Sequence, residues 1–395
     1  MISLASKELC TACGACASVC RKKSISMAED DIGQWYPVLD STKCVECHAC
    51  EEICPIINEP NSEIPREAYA AWSLDEEQRK SSASGGIAYE LYKYALNHGY
   101  SCVGASFNDD HSVSLKITDE ESELTQFKNS KYVFSNALDV YPQIKTRLHN
   151  GDKIIMMGLP CQIAAAKKLF HAHENLILIE ILCHGITPQS YFTQHIESLQ
   201  KKNNKEVAKI YFRDPGFGTE SYTFTLYDKE GKCFYAQKIS DGDSYQIGYH
   251  RGISYRESCY HCAFAKRKRV GDLILCDYYG LGKEIPCTYS PKKVSCVLVI
   301  TQKGEHFFNL INDAKIIFTE KRHIEEAVNG NPRLRMTNIK NKERLAFETN
   351  IRKCIGNYEE AIAPIVKRIM KRENEPLFCR RCRALISRIK NRWKR

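Results

Sequence analysis

Eight cysteines fall into two closely spaced groups within the first 54 residues. The stretch CTACGACASVC supplies four of them, and CVECHACEEIC, followed by Pro55, supplies the other four. Each stretch has the pattern CxxCxxCxxxC, in which three neighbouring thiolates can wrap one face of an iron–sulfur cube and the fourth lies too far along the chain to close it. The eight residues are Cys10, Cys13, Cys16, Cys20, Cys44, Cys47, Cys50 and Cys54.

This spacing, used twice, is that of a bacterial two-cluster ferredoxin, and it predicts two [4Fe-4S] clusters. In that arrangement the fourth cysteine of each stretch ligates the other cluster. The predicted sites are therefore Cys10, Cys13 and Cys16 with Cys54, and Cys44, Cys47 and Cys50 with Cys20. Two zinc sites or a disulfide scaffold are the alternatives, although zinc takes pairs rather than triads of cysteines. A module with paired clusters carries electrons, so we expect the rest of the chain to accept or supply them.

The composition indicates a chain that folds in a reducing compartment. With 395 residues and 43% hydrophobic content, it can bury a large core in one substantial domain beyond the cysteine-rich module. Twenty cysteines would indicate disulfides in a small secreted protein, but the length and the cluster spacing argue against that class. The most apolar stretch, residues 176–183, is far shorter than the roughly 18 residues that span a bilayer. We therefore expect a cytoplasmic protein.

The basic charge is concentrated towards the C-terminal end. Residues 367–395 carry a net charge of +10. The whole chain has a net charge of +9, so the remaining residues carry −1. A nearly neutral body argues against a nucleic-acid partner. Apolar residues interspersed with basic ones in residues 377–395 are compatible with an amphipathic helix on an anionic membrane or a partner protein, and a solvated basic end is the alternative. Cys379 and Cys382 lack a second pair of ligands there.

A helix start follows the predicted linker at residues 58–65. In SSASGGIAYELYKYALNHG, apolar residues recur at helical spacing from Ile87 onwards, so Ser84, Gly85 and Gly86 lie at the beginning of the helix. Free backbone amides and the helix dipole make such a position suitable for a phosphate. An ordinary serine cap is the alternative.

The next segments predict a parallel sheet. CVGASF and SVSLKIT read as two strands, followed by a polar stretch in which Lys131 is either an anion contact or a surface charge. KIIMMGLPCQIAAAKKLF predicts a buried strand, a turn and a helix, and LILIEILCH predicts a second buried strand. Each strand is expected to end in a cysteine, so Cys161 and Cys183 should share the crevice beyond the carboxyl ends of the strands. No GxGxxG follows any strand, so a Rossmann-type dinucleotide site is not indicated.

A further cysteine pair follows three strands of antiparallel character, VAKIYFRD, SYTFTLYD and CFYAQKI. Cys259 and Cys262 form a CxxC pair ahead of a basic run and a strand that ends at Asp277. Together with Cys161 and Cys183 they can make one tetrathiolate site. A zinc knuckle without its partner pair and two unrelated buried thiols are the alternatives.

Seven motifs along the chain together resemble one known family. In order, they are SSASGG, NSKYVFSN, GLPCQIAAAKK, ILCHGI, YFRDPGFG, SCYHCAF and RVGDLILCDYYG. They closely resemble the body of the family of coenzyme F420 hydrogenase/dehydrogenase beta subunits, in bacterial members that carry an N-terminal two-cluster ferredoxin module. The resemblance covers residues 66–320. It implies an iron–sulfur flavoprotein in which an α/β body holds FAD beside one [4Fe-4S] cluster.

The resemblance also implies site residues and domains. The ligands of the third cluster would be Cys161, Cys183, Cys259 and Cys262. The residues around FAD would be Ser84, Gly85, Gly86, Ser130, Lys131, Tyr132, Asp277, Tyr278 and Gly280. The fold class is then a multidomain α+β and α/β protein, with a ferredoxin-type domain at 1–60, the two parts of the family body at 66–150 and 151–320, and a basic helical extension at 321–395.

Three functions are compatible with these features. The first is a reductase in which the ferredoxin clusters take single electrons from a donor protein such as ferredoxin, the third cluster relays them, and FAD delivers two to a small organic substrate. The second is an F420-linked oxidoreductase, and the third is a non-catalytic electron-transfer subunit of a partner enzyme. The catalytic residues are not identified by any triad or phosphate loop, and His184 is a proton donor candidate with a packing role as its alternative.

Overall fold

The computed structural model describes residues 2–375. The strands are β1 (Ile25–Glu29), β2 (Trp35–Leu39), β3 (Glu67–Ser73), β4 (Tyr100–Phe107), β5 (Val113–Thr118), β6 (Ser135–Asn136), β7 (Lys153–Gly158), β8 (Leu176–Ile181), β9 (Lys209–Tyr211), β10 (Phe224–Tyr227), β11 (Cys233–Gln237), β12 (Leu273–Asp277), β13 (Ser295–Val299) and β14 (Ile317–Arg322). The α-helices are α1 (Ala15–Val19), α2 (Ala49–Ile53), α3 (Glu76–Ser81), α4 (Ile87–Asn97), α5 (Leu124–Phe127), α6 (Val140–His149), α7 (Pro160–Leu169), α8 (Gln189–Asn203), α9 (Ser244–His250), α10 (Gln302–Asp313), α11 (Ile324–Gly330), α12 (Lys342–Lys353) and α13 (Tyr358–Glu373). The basic segment 377–395, with Cys379 and Cys382, lies outside the described residues.

The N-terminal module uses one structural unit twice. Each unit is a cysteine-bearing loop followed by a five-residue helix, and the fourth cysteine of each run, Cys20 or Cys54, caps the C-terminal end of that helix. The residue before each helix, Gly14 or His48, has a left-handed backbone with φ of 80° or 60°. The antiparallel hairpin of β1 and β2 lies between the two units. The two loops therefore follow the same backbone path, as the repeated spacing predicts.

The body is organised around a nine-stranded mixed sheet in the order β14-β3-β13-β12-β8-β7-β4-β5-β6. The central neighbours β12, β8, β7 and β4 run parallel to one another, and the apolar runs of β7 and β8 are buried on both faces. The parallel pairing predicted for the two buried strands is therefore confirmed. Both predicted parts of the body, residues 66–150 and 151–320, contribute strands to this sheet.

Helices cover both faces of the sheet, and β7 shows the alternation. Ile154 and Met156 pack in the core beneath α6 and α7, whereas Ile155 and Met157 pack in the core beneath α4 and α10. Ala15 of the N-terminal module belongs to the same core as α7. The module therefore docks on the helix that carries Cys161.

A second, three-stranded antiparallel sheet, β11-β10-β9, forms from the three strands that the sequence predicts. It packs with α8, α9, α12 and α13 around a separate core rich in aromatic residues, among them Phe192, Phe224 and Tyr358. Within residues 2–375, no helix combines the length and the apolar character needed to cross a bilayer.

Candidate functional site

Four cysteines of the N-terminal module come together, and we call them the interface set: Cys10, Cys13, Cys16 and Cys54. Burial raises the pKa of the first three, and the neighbouring Cys54 thiol raises it further. The pKa of Cys13 rises to about 12. Thiols that oppose one another's ionisation in this way need a bound cation to hold them all as thiolates. The structure thus gathers the cysteines that the spacing predicts for one cluster.

The other four cysteines of the module, which we call the outer set, are Cys20, Cys44, Cys47 and Cys50. Burial and the nearby Cys44 thiol raise the pKa of Cys50, whereas Cys47 is exposed. The Cys20 Sγ lies 3.1 Å from the Ser24 hydroxyl and accepts a hydrogen bond from the Ser24 N–H at 3.3 Å. Burial favours the neutral thiol of Cys20, but these hydrogen bonds outweigh burial and lower its pKa. The place of Cys20 in the outer set stays a prediction.

Four cysteines from three segments of the body line one pocket, and we call them the body set: Cys161, Cys183, Cys259 and Cys262. Burial raises the pKa of all four thiols. Neighbouring thiols of the same set raise the pKa of Cys161, Cys183 and Cys259 further, to about 12 for Cys259. The fold therefore brings together the four residues that the family resemblance implies.

The strands stop short of these cysteines, contrary to the prediction that each strand ends in one. Strand β7 ends at Gly158 and β8 ends at Ile181. Pro160 has no N–H for a sheet ladder and suits the first position of a helix, so α7 begins there and carries Cys161 in its first turn. Cys183 lies two residues beyond β8. Both still reach the crevice at the carboxyl edge of the parallel strands.

A buried ion pair fixes the segment that carries the CxxC pair. The Arg269 guanidinium binds the Glu180 carboxylate on β8, and both side chains are almost fully buried. The other carboxylate oxygen of Glu180 accepts hydrogen bonds at 2.8 Å from the N–H groups of the two residues after Arg269. A buried charge pair needs such additional partners to offset its desolvation. Glu180 therefore ties the CxxC segment to the strand that leads to Cys183.

The interface set and the body set are neighbours. After burial and the thiols of Cys183 and Cys262, the Cys13 thiol raises the pKa of Cys161. Thr11 lines the pocket of the body set, and its buried hydroxyl has no hydrogen-bond partner among the described residues. The Tyr141 hydroxyl donates to the Cys13 carbonyl at 3.0 Å. The two sets therefore adjoin where the module meets the body.

The donor atoms of these sets suit iron–sulfur clusters. The eighteen cysteines that the structure describes are all free thiols. Among residues 2–375, no three His, Cys, Asp or Glu side chains converge on a position for one metal ion. The ligands of a cubane bind different iron atoms and stand wider apart than the ligands of a single ion. The interface set and the body set each fit one cubane in ligand type and number.

Helix α4 begins where the sequence predicts, and packing accounts for its glycines. Gly86 is the N-cap, with φ of 87°. A Cβ on Gly85 would lie 2.5 Å from the Ala71 carbonyl oxygen and 2.8 Å from the Ser295 nitrogen. The Ser84 hydroxyl donates to a backbone carbonyl beside β13 at 3.0 Å. These residues thus dock the loop on β3 and β13, and their contact with FAD stays a prediction.

Lys131 is half-buried, and it has no acidic partner in the part of the chain that the structure describes. Its Nζ donates to two backbone carbonyls at 2.9 and 3.1 Å, and burial lowers its pKa to about 7. The adjacent Tyr132 stacks on Tyr249 with ring centroids 4.4 Å apart. Because Lys131 has no described carboxylate partner, an anion bound beside it would favour its charged form.

Asp277, Tyr278 and Gly280 lie on different sides of the end of β12. The Asp277 carboxylate pairs with Arg213 at 3.0 Å and lies near Tyr132. The Tyr278 hydroxyl instead donates to a glutamate of α11 at 3.1 Å, within a separate core. Gly280 has φ of 83° and approaches the backbone of α11. Asp277 is therefore the member of this motif that joins the group around Tyr132.

Beside Asp277 lies a group of six side chains, of which the sequence predicted only Tyr132 as a cofactor contact. We call it the aromatic–basic wall: Tyr132, Arg213, Tyr222, His250, Tyr279 and Lys293. Arg213 stands 4.4 Å from the centre of the Tyr222 ring, and the Tyr222 and Tyr279 hydroxyls are 3.0 Å apart. Lys293 donates to the Ser82 carbonyl at 2.6 Å, next to the loop before α4. Tyr132, Arg213 and Tyr279 lie in the motifs NSKYVFSN, YFRDPGFG and RVGDLILCDYYG, but no spacing connects them with the other three members.

One histidine, His250, belongs to this wall, and a second, His184, lies next to it. Burial lowers the pKa of His184, and it lowers the pKa of His250 to about 4. The Nε2 of His250 is buried without a partner among the described residues. The His184 ring lies 6.5 Å from the Tyr279 ring. Both imidazoles are neutral at pH 7, and the proton donor role of His184 stays a prediction.

Residues 151–324 match the family model that describes the C terminus of the beta subunit in coenzyme F420 hydrogenase/dehydrogenase. This part of the chain is similar to that family. The resemblance predicted from the sequence motifs is thereby confirmed. Residues 9–56 match the model of a 4Fe-4S dicluster domain, which confirms the two-cluster domain predicted from the cysteine spacing. The chain is an iron–sulfur protein related to oxidoreductases.

Two relatives align with most of the chain. The F subunit of the F(420)H(2) dehydrogenase of Methanosarcina mazei is 23% identical over 332 residues, which cover 80% of this chain and 86% of that protein. The coenzyme F420-dependent sulfite reductase of Methanocaldococcus jannaschii is 23% identical over 322 residues, which cover 77% of this chain and 46% of that protein. This chain therefore spans less than half of the sulfite reductase. A solved chain of the F420-reducing [NiFe] hydrogenase complex from Methanosarcina barkeri aligns with a TM-score of 0.44 and 16% identity, over 78% of this chain and 93% of that chain.

Proposed function

We propose that this protein is an iron–sulfur flavoprotein oxidoreductase. It takes electrons from a donor protein such as ferredoxin, passes them through three [4Fe-4S] clusters to FAD, and reduces a small organic substrate. The observation that carries the proposal is that Cys13 of the interface set neighbours Cys161 of the body set. Electron transfer weakens steeply with distance, so redox centres that work in series have to adjoin.

The three cysteine sets follow one another from the surface inwards. The outer set includes the exposed Cys47, the interface set meets the body at Thr11, and the body set lies at the carboxyl edge of β7 and β8. When bound, the clusters supply one-electron steps and FAD supplies a two-electron step. The chain's own contribution is to hold the thiolates in this order and to exclude water from the body set.

The aromatic–basic wall supports the flavin part of the proposal. Positive charge for a pyrophosphate can come from Arg213, Lys293 and Lys131. The tyrosine rings of the wall offer a flat apolar surface for the flavin ring system. His184 directly follows Cys183 of the body set and reaches Tyr279 of the wall. We place FAD at this wall, next to the predicted contacts at Ser84, Gly85 and Gly86.

The names of the relatives support two narrower candidates. Both names refer to coenzyme F420, which favours an F420-linked oxidoreductase as the second candidate. One relative is a subunit of a dehydrogenase, which favours an electron-transfer subunit as the third. Reduction of the bound flavin by reduced F420 would support the second candidate. We also retain the domain division at residues 60, 151 and 321 and a cytoplasmic location, with the basic end at an anionic membrane or a partner protein.

The metal content tests the proposal. Protein purified without oxygen should contain about twelve iron atoms and twelve acid-labile sulfides per chain, because three cubanes hold four of each. Cys259→Ser should lose about four of each, since it removes one ligand of the body set. Cys354→Ser, at a half-buried thiol outside the three sets, is the matched control and should lose none. Eight iron atoms in both the wild type and Cys259→Ser would contradict the third cluster and with it the proposed route.

A further inference from the structure

Arg256 is a buried cation whose charge no described carboxylate balances. Its side chain is 1% exposed, and it forms no ion pair with any residue from 2 to 375. The other four buried arginines that the structure describes each have an acidic partner. These pairs are Arg213 with Asp277, Arg269 with Glu180, Arg322 with Glu326, and Arg344 with Glu257. An arginine keeps its charge when it is buried, and an uncompensated buried charge is strongly destabilising.

The neighbours of Arg256 accept hydrogen bonds from its guanidinium but carry no negative charge. Its Nη2 donates to the Trp35 carbonyl at 2.7 Å and lies 3.5 Å from the Cys10 carbonyl. The Tyr36 and Phe134 rings lie 5.1 and 5.6 Å from the guanidinium carbon. The Nε is buried and has no hydrogen-bond partner within the described part of the chain. The charge therefore needs a counter-charge that these side chains do not provide.

The backbone contacts of Arg256 include residues of two different cysteine sets. Its Nη2 lies 3.5 Å from the carbonyl oxygen of Cys10 in the interface set. The Arg256 carbonyl accepts a hydrogen bond from the Cys259 N–H at 3.1 Å. The buried Arg256 therefore contacts one predicted cluster ligand of the interface set and one of the body set.

We propose that Arg256 balances the negative charge of the clusters held by the interface set and the body set and raises the reduction potentials of both. A cubane with four thiolate ligands is anionic, and the electron it accepts adds one more negative charge. A fixed cation nearby stabilises this reduced form, and it acts more strongly in a buried site, where water screens it less. Arg256 is a positioning residue in this sense, and the inference rests on the proposed clusters being present.

Equilibrium redox titration of the full-length protein, followed by electron paramagnetic resonance, tests this role. The signals are assigned by their loss in Cys259→Ser and Cys47→Ser. In Arg256→Gln, we expect lower midpoint potentials for the interface and body clusters and an unchanged potential for the outer cluster. Arg256→Lys keeps the charge and should stay closer to the wild type. Arg322→Gln, at a buried arginine with its own acidic partner, should leave all three potentials unchanged.

Each outcome of these measurements either supports or overturns the proposed role of the Arg256 charge. Unchanged potentials in fully metallated Arg256→Gln would overturn the proposal, as would equal shifts in the Gln and Lys variants. If Arg256→Gln loses iron while Arg256→Lys keeps it, charge compensation is supported, whereas equal loss from both shows a structural role and overturns it. An iron count below twelve in the wild type would instead count against the proposed function, so the two failures are distinguishable.

Discussion

Gly86 is a residue at which a single charge can test the proposed phosphate site. Its backbone is left-handed, and a Cβ there would lie 3.1 Å from the Ser73 Cβ. Asparagine and aspartate adopt this conformation more readily than other residues with a side chain, and they are nearly equal in size. Either substitution therefore imposes a similar strain on the start of α4. They differ in the negative charge that aspartate brings.

We expect Gly86→Asp to lose bound FAD, while Gly86→Asn keeps most of it. The reason is that a carboxylate at this helix start repels the pyrophosphate, whereas an amide does not. The measurement is flavin released per chain on denaturation, with iron per chain as the control for an intact ferredoxin module. Equal flavin content in the two variants would rule out a phosphate at the loop of Ser84 to Gly86.

At the scale of elements, one buried histidine joins three helices. The His195 ring on α8 places Nδ1 2.8 Å from Glu359 of α13 and Nε2 3.1 Å from Asp243, the N-cap of α9. Burial would lower the pKa of His195, but the two carboxylates outweigh burial and raise it to about 9. In return, the charged imidazole lowers the pKa of Asp243 despite its burial. A protonated His195 therefore stabilises the separate aromatic core formed by α8, α9, α12 and α13 with the three-stranded sheet.

This arrangement predicts a loss of stability at alkaline pH. The folded pKa of His195 lies above its unfolded value of about 6.5, so its contribution is complete below pH 6.5 and disappears as the pH rises to about 9. The free energy of unfolding in urea should fall by up to about 3 kcal/mol over that range, from a shift of roughly 2.5 pKa units. His195→Gln should show a flatter pH dependence, and His149→Gln, on the exposed end of α6, should behave as the wild type. A wild-type profile that stays level from pH 6 to pH 9 would contradict a protonated His195.

At the scale of the whole molecule, the N-terminal module and the body form one continuous packing unit. Ala15 of α1 lies in the core that α6 and α7 share, and the Tyr141 hydroxyl of α6 binds the Cys13 carbonyl. Arg256 of the body binds the Trp35 carbonyl of the module hairpin. These contacts hold the interface set against the body set.

The basic C-terminal segment gives a prediction for the whole molecule that comes from the sequence alone. Residues 377–395 combine apolar and basic side chains, so we expect the protein to sediment with anionic vesicles and to be released by salt. Truncation after Pro376 should abolish sedimentation, and vesicles of neutral lipid serve as the control. Equal sedimentation of the full and truncated chains with anionic vesicles would dismiss a membrane role for this segment.

The prediction succeeded where the signal is local. The cysteine spacing identifies the dicluster domain, and the apolar runs of β7 and β8 predict buried parallel strands because each pattern is complete within a few residues. It failed at the ends of those strands, where Pro160 starts a helix early. No local pattern indicates that a Cβ on Gly85 would lie 2.5 Å from the Ala71 carbonyl oxygen of β3.

The sequence by itself determined the chemistry of the ligands, because thiolates at fixed short spacing are sufficient to indicate iron–sulfur clusters. Only the tertiary structure decided how distant groups meet. Cys161, Cys183 and Cys259 share a pocket because β7 and β8 end at one edge of the sheet, and Glu180 draws the CxxC segment to that edge. Arg256 is notable because the fold buries it without an acidic partner among the described residues. No local sequence pattern predicts these contacts between distant residues, because they depend on how the chain crosses the whole sheet.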